Sequence, residues 1–174
     1  DPYAPLTPFA YDTRAKVNPP LRPRQDVQAL IQGLQAGAID AIATDHAPHN
    51  LVDKACPFDQ AAFGISILET GVSMLLSLVA RGSLELSTVV RYLTVGPARV
   101  MGPRWDRFGT LKPGAVGDVT IFDPSEKWVV NTDDFASRGK NSPLEGQTLQ
   151  GKVVATVVAG RVVYDRSGIA RGPR

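Results

Sequence analysis

The spacing of apolar positions predicts three helices in the first hundred residues. The first spans Pro23 to Gln35, and Gly37 can supply the left-handed residue that ends it. The second lies within residues 65–81, with Gly82 after its end, and a short third helix covers residues 87–93. The stretch "GPARVMG" adds one more helical turn after Pro97. The apolar face of the second helix is formed by Leu68, Val72, Leu75, Leu76 and Val79.

Between the first two helices the pattern changes to a short apolar run. The stretch "IDAIATD", residues 39–45, contains β-branched residues and ends at Asp45, which predicts a strand buried on both faces. Residues 50–64 lack periodicity and are predicted to form a loop that leaves the carboxyl end of this strand. A helix followed by a buried strand favours an α/β fold, and such loops commonly carry chemistry.

From Gly109 onward, turn residues alternate with residues that favour β-structure. The stretches "GDVTIFD", "KWVVN", "KVVATVVAG" and "RVVYD" predict strands, and Ala159–Gly160 is predicted to be a hairpin turn. Residues 133–150 are predicted to be a long polar loop that is functional or anchoring rather than part of the core. We therefore expect two domains: residues 1–105, with helices and a strand, and residues 106–174, all β.

Composition narrows the class of protein. The chain has 174 residues, enough to bury a core, and its formal net charge of +2 gives no argument for a nucleic-acid or membrane partner. A single cysteine, Cys56, excludes an internal disulfide, and no apolar run approaches the roughly 20 residues that span a bilayer. We expect a cytoplasmic protein. The proline-rich opening without an initiator methionine suggests a piece of a longer chain.

Candidate chemistry is concentrated in "AIATDHAPHN", residues 41–50, which holds Asp45 and both histidines of the chain. An aspartate at the carboxyl end of a parallel strand, followed by a loop with histidines, is the usual layout of catalytic groups in a β/α barrel. The same pair can also simply cap a strand in a turn. Two histidines and one cysteine do not complete a four-ligand zinc site, and no nucleophile elbow or phosphate-binding glycine motif is found.

Four motifs, in order, carry a resemblance to a known family. They are "KVNPPLR" at residues 16–22, "GAIDAIATDHAPH" at 37–49, "FGISILET" at 63–70 and "GKNSPLEGQTLQGKVVATVVAGRVVY" at 139–164. The set resembles the C-terminal portion of bacterial-type (class I) dihydroorotases of the amidohydrolase superfamily. The resemblance implies an α/β fold. Residues 1–105 would be the C-terminal part of a (β/α)8 TIM barrel of the metal-dependent hydrolase type, and residues 106–174 a small β-sandwich region.

The resemblance also implies roles for individual residues. Asp45 would ligate a zinc ion and shuttle the reaction proton, and Asn18 and His49 would contact dihydroorotate. Phe63 and Gly64 would offer backbone contacts to the substrate. Intact sites of this family hold one or two Zn²⁺, and a bound metal lowers the pKa of its water to about 7. No role transfers to His46, which we expect to orient the strand end.

The chain also departs from the family pattern. The His-x-His pair, the bridging carboxylate or carboxylated lysine, and two further histidines of the family's metal centre are not found in this sequence. We expect these ligands upstream of this chain, and we expect the isolated chain to be inactive because a catalytic zinc needs about three protein ligands. A catalytically dead relative is the second interpretation.

Three functions stay open at this point. The first is a dihydroorotase segment that reversibly closes N-carbamoyl-L-aspartate to L-dihydroorotate in pyrimidine biosynthesis. The second is a related cyclic-amide hydrolase such as an allantoinase or a dihydropyrimidinase. The third is a non-catalytic scaffold that binds aspartate carbamoyltransferase. The resemblance leaves a homodimer and a complex with aspartate carbamoyltransferase open, and we expect neither nucleic acid nor membrane as a partner.

Overall fold

The structure is a computed structural model that describes residues 11–166. The helices are α1 (Arg24–Ala36), α2 (Leu51–Lys54), α3 (Gly71–Ala80), α4 (Leu86–Leu93) and α5 (Val95–Met101). The strands are β1 (Val119–Val129), β2 (Thr148–Val158) and β3 (Arg161–Asp165), and single 3-10 turns lie at Thr13–Ala15, Pro103–Trp105 and Thr132–Asp134. Among residues 11–166, no helix has the length and apolar character needed to cross a membrane.

The first helix follows the sequence pattern closely. Helix α1 begins one residue after the predicted Pro23, and Gly37 follows it with a φ of 74°. This positive φ is the conformation that glycine adopts without a steric cost, so the predicted helix stop is confirmed.

The second helix is shorter than predicted because its first turn is replaced by extended backbone. Helix α3 begins only at Gly71. Ahead of it, the Ile65 carbonyl accepts the Ala47 N–H at 3.0 Å, and the Ser66 N–H donates to the Asn141 carbonyl at 2.9 Å. These groups are no longer available for helical hydrogen bonds. The prediction that Leu68 faces inward is therefore wrong, since Leu68 is 61% exposed.

The strand predicted at residues 39–45 does not form within the described part of the chain. These residues are exposed or half-buried, and regular pairing is limited to a single parallel bridge between His46 and Ile65. A parallel strand needs hydrogen-bonding neighbours along its edges, whereas here the Ile42 N–H donates to the Tyr92 carbonyl of α4. The apolar pattern of residues 39–45 is typical of a buried strand, but the neighbouring strands that would complete a ladder are not among residues 11–166.

The C-terminal strands form one three-stranded sheet in the order β1-β2-β3. Strands β2 and β3 are antiparallel, with Val158 opposite Arg161. The connecting residues Ala159 and Gly160 have φ values of 50° and 75°, so the predicted hairpin turn is confirmed. A second sheet is not among the described residues, and the β-sandwich stays a prediction.

The described residues fall into two compact units. The first comprises residues 11–32, 44–71 and 129–148, and the second comprises residues 33–43, 72–128 and 149–166. The division of the chain into domains at residue 105 stays a prediction. The buried apolar residues of the second unit include Leu34, Leu76, Leu84, Val89, Tyr92, Ala98 and Leu149.

The first unit has an unusually polar interior. Its buried apolar residues are Ala61, Ile65, Val130, Phe135 and Leu144, and its buried polar residues are Lys16, Lys54, Ser66, Thr70, Asn141 and Ser142. Phe135, Asn141, Ser142 and Leu144 lie within the segment 133–150 and are buried in this core, so the prediction that the segment lies outside the core is wrong. Buried polar groups require partners, and these partners build the candidate site.

Candidate active site

Three of the residues expected to contact substrate lie together in the first unit. The His49 Nε2 atom is 2.9 Å from the Phe63 carbonyl oxygen. Gly64 has a φ of +150°, and a Cβ at this position would lie 2.7 Å from the Cβ and carbonyl oxygen of Ala47 and 2.8 Å from His49 Nε2. Only a residue without a side chain therefore allows the His49 ring to lie this close to the Phe63–Gly64 backbone.

Asn18 is connected to this cluster through the backbone. The Gly64 N–H donates to the Lys16 carbonyl at 3.0 Å, which brings the "KVNPPLR" segment beside Gly64. Asn18 lies two residues further on, is exposed, and precedes Pro19 in a cis peptide bond. Its amide makes no hydrogen bond to the other residues of the described chain, so its side chain is free to meet a ligand.

Asp45 lies in the segment that pairs with Ile65. It directly precedes His46, which forms the bridge with Ile65, and it has a φ of 48°. Its carboxylate is exposed and forms no hydrogen bond or ion pair within residues 11–166. The convergence of Asn18, Asp45, His49, Phe63 and Gly64 on one pocket stays a prediction, because the structure gives direct contacts for His49, Phe63 and Gly64 alone among the five.

His46 holds the turn that follows Ser66. Its Nδ1 atom accepts the backbone N–H groups of Ile67 and Leu68, each at 3.1 Å. An Nδ1 acceptor leaves the proton on Nε2, which lies 3.4 Å from the Ser137 hydroxyl. The contacts of His46 fit the expected orienting role.

Asn141 was missed by sequence reasoning and connects the segments of the site. Its Oδ1 atom accepts the His49 N–H at 2.8 Å and the Ser66 hydroxyl at 3.0 Å. Its Nδ2 atom donates to the carbonyl of Gly64 at 3.0 Å and to that of Ala47 at 3.4 Å. The only signal that the sequence offered was Asn141 itself, a polar residue in the stretch "GKNSPLEG" of the predicted loop.

A family model described as "Amidohydrolase family" matches residues 13–163. The chain belongs to the amidohydrolase family. It is 50% identical over 155 residues to a dihydroorotase of Syntrophus aciditrophicus, and this match covers 88% of the chain and 35% of that protein. It is 46% identical over 159 residues to a dihydroorotase of a Thermoanaerobacter species, a match that covers 91% of the chain and 36% of that protein. The amidohydrolase chain thus spans about a third of the length of these curated relatives.

Solved structures of amidohydrolases have the same fold. An L-hydantoinase (dihydropyrimidinase) from Arthrobacter aurescens is 32% identical with a TM-score of 0.83, over 89% of this chain and 35% of that one. A D-hydantoinase from a Thermus species is 25% identical with a TM-score of 0.79, over 88% of this chain and 34% of that one. The expected metal-dependent hydrolase fold of the TIM-barrel type is thereby confirmed at this coarse level.

Two buried lysines of the amidohydrolase chain, Lys16 and Lys54, donate to backbone carbonyls of the segments around the site. Lys54 Nζ donates to the carbonyls of Thr13, Lys16 and Ala62 at 3.0, 3.1 and 2.7 Å. Lys16 Nζ donates to the carbonyls of Phe58 and Asp59 at 2.6 and 3.0 Å and lies 4.4 Å from the centre of the Phe63 ring. Burial lowers the pKa of Lys54, and the positive charge of Lys16 lowers it further.

The donor set for a metal is incomplete in this part of the chain. Among residues 11–166, no group of three or more His, Cys, Asp or Glu side chains could hold a metal ion. The exposed and unpaired carboxylate of Asp45 fits the role of a single ligand. His46 fits it less well, because Nδ1 is engaged by two backbone N–H groups. A complete site therefore needs ligands other than those of residues 11–166.

Proposed function

We propose that the protein containing this chain is a dihydroorotase, which reversibly converts N-carbamoyl-L-aspartate to L-dihydroorotate in pyrimidine biosynthesis. The observation that carries the proposal is the cluster of His49, Phe63 and Gly64, in a chain that is about half identical to proteins named dihydroorotase and that also holds an unpaired Asp45. The remaining ligands of a zinc centre would come from residues outside this chain. Cytoplasmic location, a homodimer and a complex with aspartate carbamoyltransferase stay predictions.

Asp45 would act in proton transfer. Its carboxylate has no partner among the described residues, so one oxygen can ligate Zn²⁺ while the other accepts a proton from water and later returns it to the ring nitrogen that leaves. When bound, zinc would polarise the amide carbonyl and make water acidic enough to react near neutral pH.

His49 and Asn18 would bind the part of the substrate that does not react. The His49 Nε2 is engaged by the Phe63 carbonyl, and its Nδ1 lies 3.9 Å from the Asp53 carboxylate. From this position beside Phe63, the His49 ring would meet the substrate carboxylate. The backbone of Phe63 and Gly64 would pair with the polar edge of the dihydropyrimidine ring.

A related cyclic-amide hydrolase is the second candidate. It is favoured by the fold match to an L-hydantoinase (dihydropyrimidinase) at 32% identity. The two candidates differ in the ring carboxylate, which dihydroorotate carries and dihydrouracil lacks. An N–H of the His49 ring would pair with the carboxylate of the first substrate and would find no such partner on the second.

The test is a comparison of substrates on the full-length protein loaded with zinc. Hydrolysis of L-dihydroorotate, dihydrouracil and allantoin would be followed at equal enzyme concentration. We expect kcat/KM for dihydroorotate to exceed the other two by at least about a hundredfold, which corresponds to one lost charged contact of about 3 kcal/mol. Preferred turnover of dihydrouracil or allantoin would replace the proposal by the second candidate, and failure on all three would favour the scaffold.

A further inference from the structure

One buried amide joins the two segments that carry the candidate substrate contacts. Asn141 is 2% exposed, and its side chain contacts the backbone of Ala47, His49 and Gly64. Residues 47–49 lie on one side of this amide, and residues 64–66 lie on the other. A backbone hydrogen bond also joins the two segments, because the Ala47 N–H donates to the Ile65 carbonyl.

Both polar atoms of the Asn141 side chain have partners among the described residues. A primary amide has two donor hydrogens and an acceptor oxygen with two lone pairs. Here both donors end on carbonyl oxygens, and the acceptor takes the His49 N–H and lies 3.0 Å from the Ser66 hydroxyl. The single hydrogen of that hydroxyl is shared between Asn141 Oδ1 and the Gly139 carbonyl, which lies 2.6 Å from it. A side chain with all its partners satisfied and no access to water holds one orientation.

We infer that Asn141 is the positioning residue that sets His49 against the Phe63–Gly64 backbone for substrate binding. The inference rests on the proposed function, because it is the dihydroorotate contact that gives the spacing its importance. The Oδ1 atom of the amide holds the His49 N–H, and its Nδ2 atom holds the Gly64 carbonyl. The distance between His49 Nε2 and the Phe63 carbonyl follows from these two attachments.

Asparagine is the side chain that this arrangement requires. Aspartate has the same shape and can accept the His49 N–H, but it would place a second oxygen against the carbonyls of Ala47 and Gly64. Two favourable contacts would become repulsive ones. Alanine would remove all four side-chain contacts and leave the His49 N–H without its acceptor.

The experiment measures substrate kinetics of Asn141→Ala and Asn141→Asp in the full-length zinc-loaded protein. Both substitutions should raise KM for dihydroorotate by at least about tenfold and change kcat by less than about threefold, because the contact is equal in the ground and transition states. If the Asn141→Ala protein does not fold, the same kinetic measurement is made on the isosteric Asn141→Asp protein alone. A fall in kcat with an unchanged KM would overturn the inference, since a merely structural residue reduces the fraction of active enzyme.

Ser73→Ala is the matched control for the loss of a buried hydrogen bond. Ser73 is 4% exposed, and its hydroxyl donates to the Gly151 carbonyl at 2.6 Å in the second unit. This variant should lower stability through the loss of a buried hydrogen bond and leave KM unchanged. A KM that rises equally in the control would also overturn the positioning role.

A second readout separates this inference from the proposed function. Hydrogen exchange at the His49 N–H should become about tenfold faster in Asn141→Ala, while the Ala62 N–H, which donates to the Asp53 carbonyl at 3.0 Å, should be unaffected. If the protein does not turn over dihydroorotate, the proposed function fails. The hydrogen-exchange rate of the His49 N–H then tests the positioning role of Asn141 without substrate. Unchanged exchange at His49, or equal acceleration at both amides, would overturn it.

Discussion

The Nδ1 atom of His46 accepts the backbone N–H of Ile67 at 3.1 Å, across 21 positions in the sequence. The same atom also accepts the N–H of Leu68 at 3.1 Å. The two N–H groups lie just before α3 (Gly71–Ala80), where helical acceptors are not available to them. His46 therefore acts as a cap that fixes the approach to α3 at a point next to Asp45.

We predict that His46→Ala destabilises the protein by about 2 kcal/mol, because two N–H groups, the partly buried one of Ile67 and the exposed one of Leu68, lose their acceptor. His46→Asn should recover most of this loss, since Asn Oδ1 occupies nearly the position of His Nδ1. The free energy of unfolding from urea titration is the measurement. Equal destabilisation by both substitutions would show that ring packing, rather than the Nδ1 acceptor, is what the site needs.

The elements that the sequence predicted well are those fixed by local interactions. The end of α1 at Gly37 and the hairpin at Ala159–Gly160 depend on positive φ values within a few residues. The strand predicted at residues 39–45 was wrong because strand pairing depends on neighbours distant in sequence. The helix predicted for residues 65–70 was wrong for the same reason, since Ser66 pairs with Asn141, a residue 75 positions away.

The candidate site was predictable only in part. Asp45 and His49 stood out as chemically reactive residues in one short motif, and the resemblance added Asn18, Phe63 and Gly64. Asn141 carries no reactive group, and its importance follows from four contacts that become visible only in three dimensions. The buried lysines were missed for a similar reason, because charged residues are usually exposed.

We predict that Gly64→Ala weakens both folding and substrate binding. The new Cβ would lie 2.7 Å from the Ala47 backbone oxygen and 2.8 Å from His49 Nε2, and the φ of +150° adds backbone strain. Destabilisation by more than about 2 kcal/mol and a rise in KM for dihydroorotate are expected, measured by urea unfolding and steady-state kinetics.

Gly114→Ala is the matched control for Gly64→Ala. Gly114 also has a positive φ, +85°, but a Cβ there would meet no atom within 4 Å. This variant should cost only about 1 kcal/mol from strain and leave KM unchanged. If Gly64→Ala behaves like Gly114→Ala, close packing of His49 against Gly64 has no energetic consequence.

We predict that Lys54→Met destabilises the protein by about 3 kcal/mol. Methionine fills the same volume but leaves the carbonyls of Thr13, Lys16 and Ala62 without their shared donor. Lys127→Met, at an exposed position on β1 (Val119–Val129), should change stability by less than about 0.5 kcal/mol. Thermal or urea unfolding of both variants is the measurement, and a neutral Lys54→Met would show that water replaces the ammonium group.

Lys54 also predicts a pH dependence of stability. Burial lowers its pKa below 10.5 in the folded state, and the charge of Lys16 adds to this. Between the lowered pKa and about 10.5, the unfolded state therefore binds more protons than the folded state, and stability rises with pH. Below that range both states are protonated and the cost of burying the charge is present in full.

The measurement is the difference in unfolding free energy between the wild-type protein and Lys54→Met as a function of pH. This difference should move in favour of the wild type as pH rises towards about 10.5. The corresponding difference for Lys127→Met should be flat over the same range. A flat difference for Lys54→Met as well would mean that the three carbonyl contacts fully compensate the desolvation of the ammonium group.

We predict that Asp45→Asn abolishes turnover in the full-length protein, while His49→Ala acts mainly on substrate binding. Asparagine keeps the size of Asp45 but loses the negative charge and the proton acceptor, so metal affinity and proton transfer both suffer. We expect kcat to fall at least about a thousandfold, together with a reduced zinc content by metal analysis.

His49 differs because it would touch the part of the substrate that does not react. A contact that is equal in the ground and transition states changes KM rather than kcat, so His49→Ala should raise KM by about tenfold or more and leave kcat within a few-fold. Asp134→Asn, at an exposed carboxylate in the Thr132–Asp134 turn, removes a charge without touching the site and should leave both parameters unchanged. If Asp45→Asn retained turnover and zinc, the carboxylate would be neither a ligand nor the proton acceptor, and the proton would have to pass through a residue outside this chain.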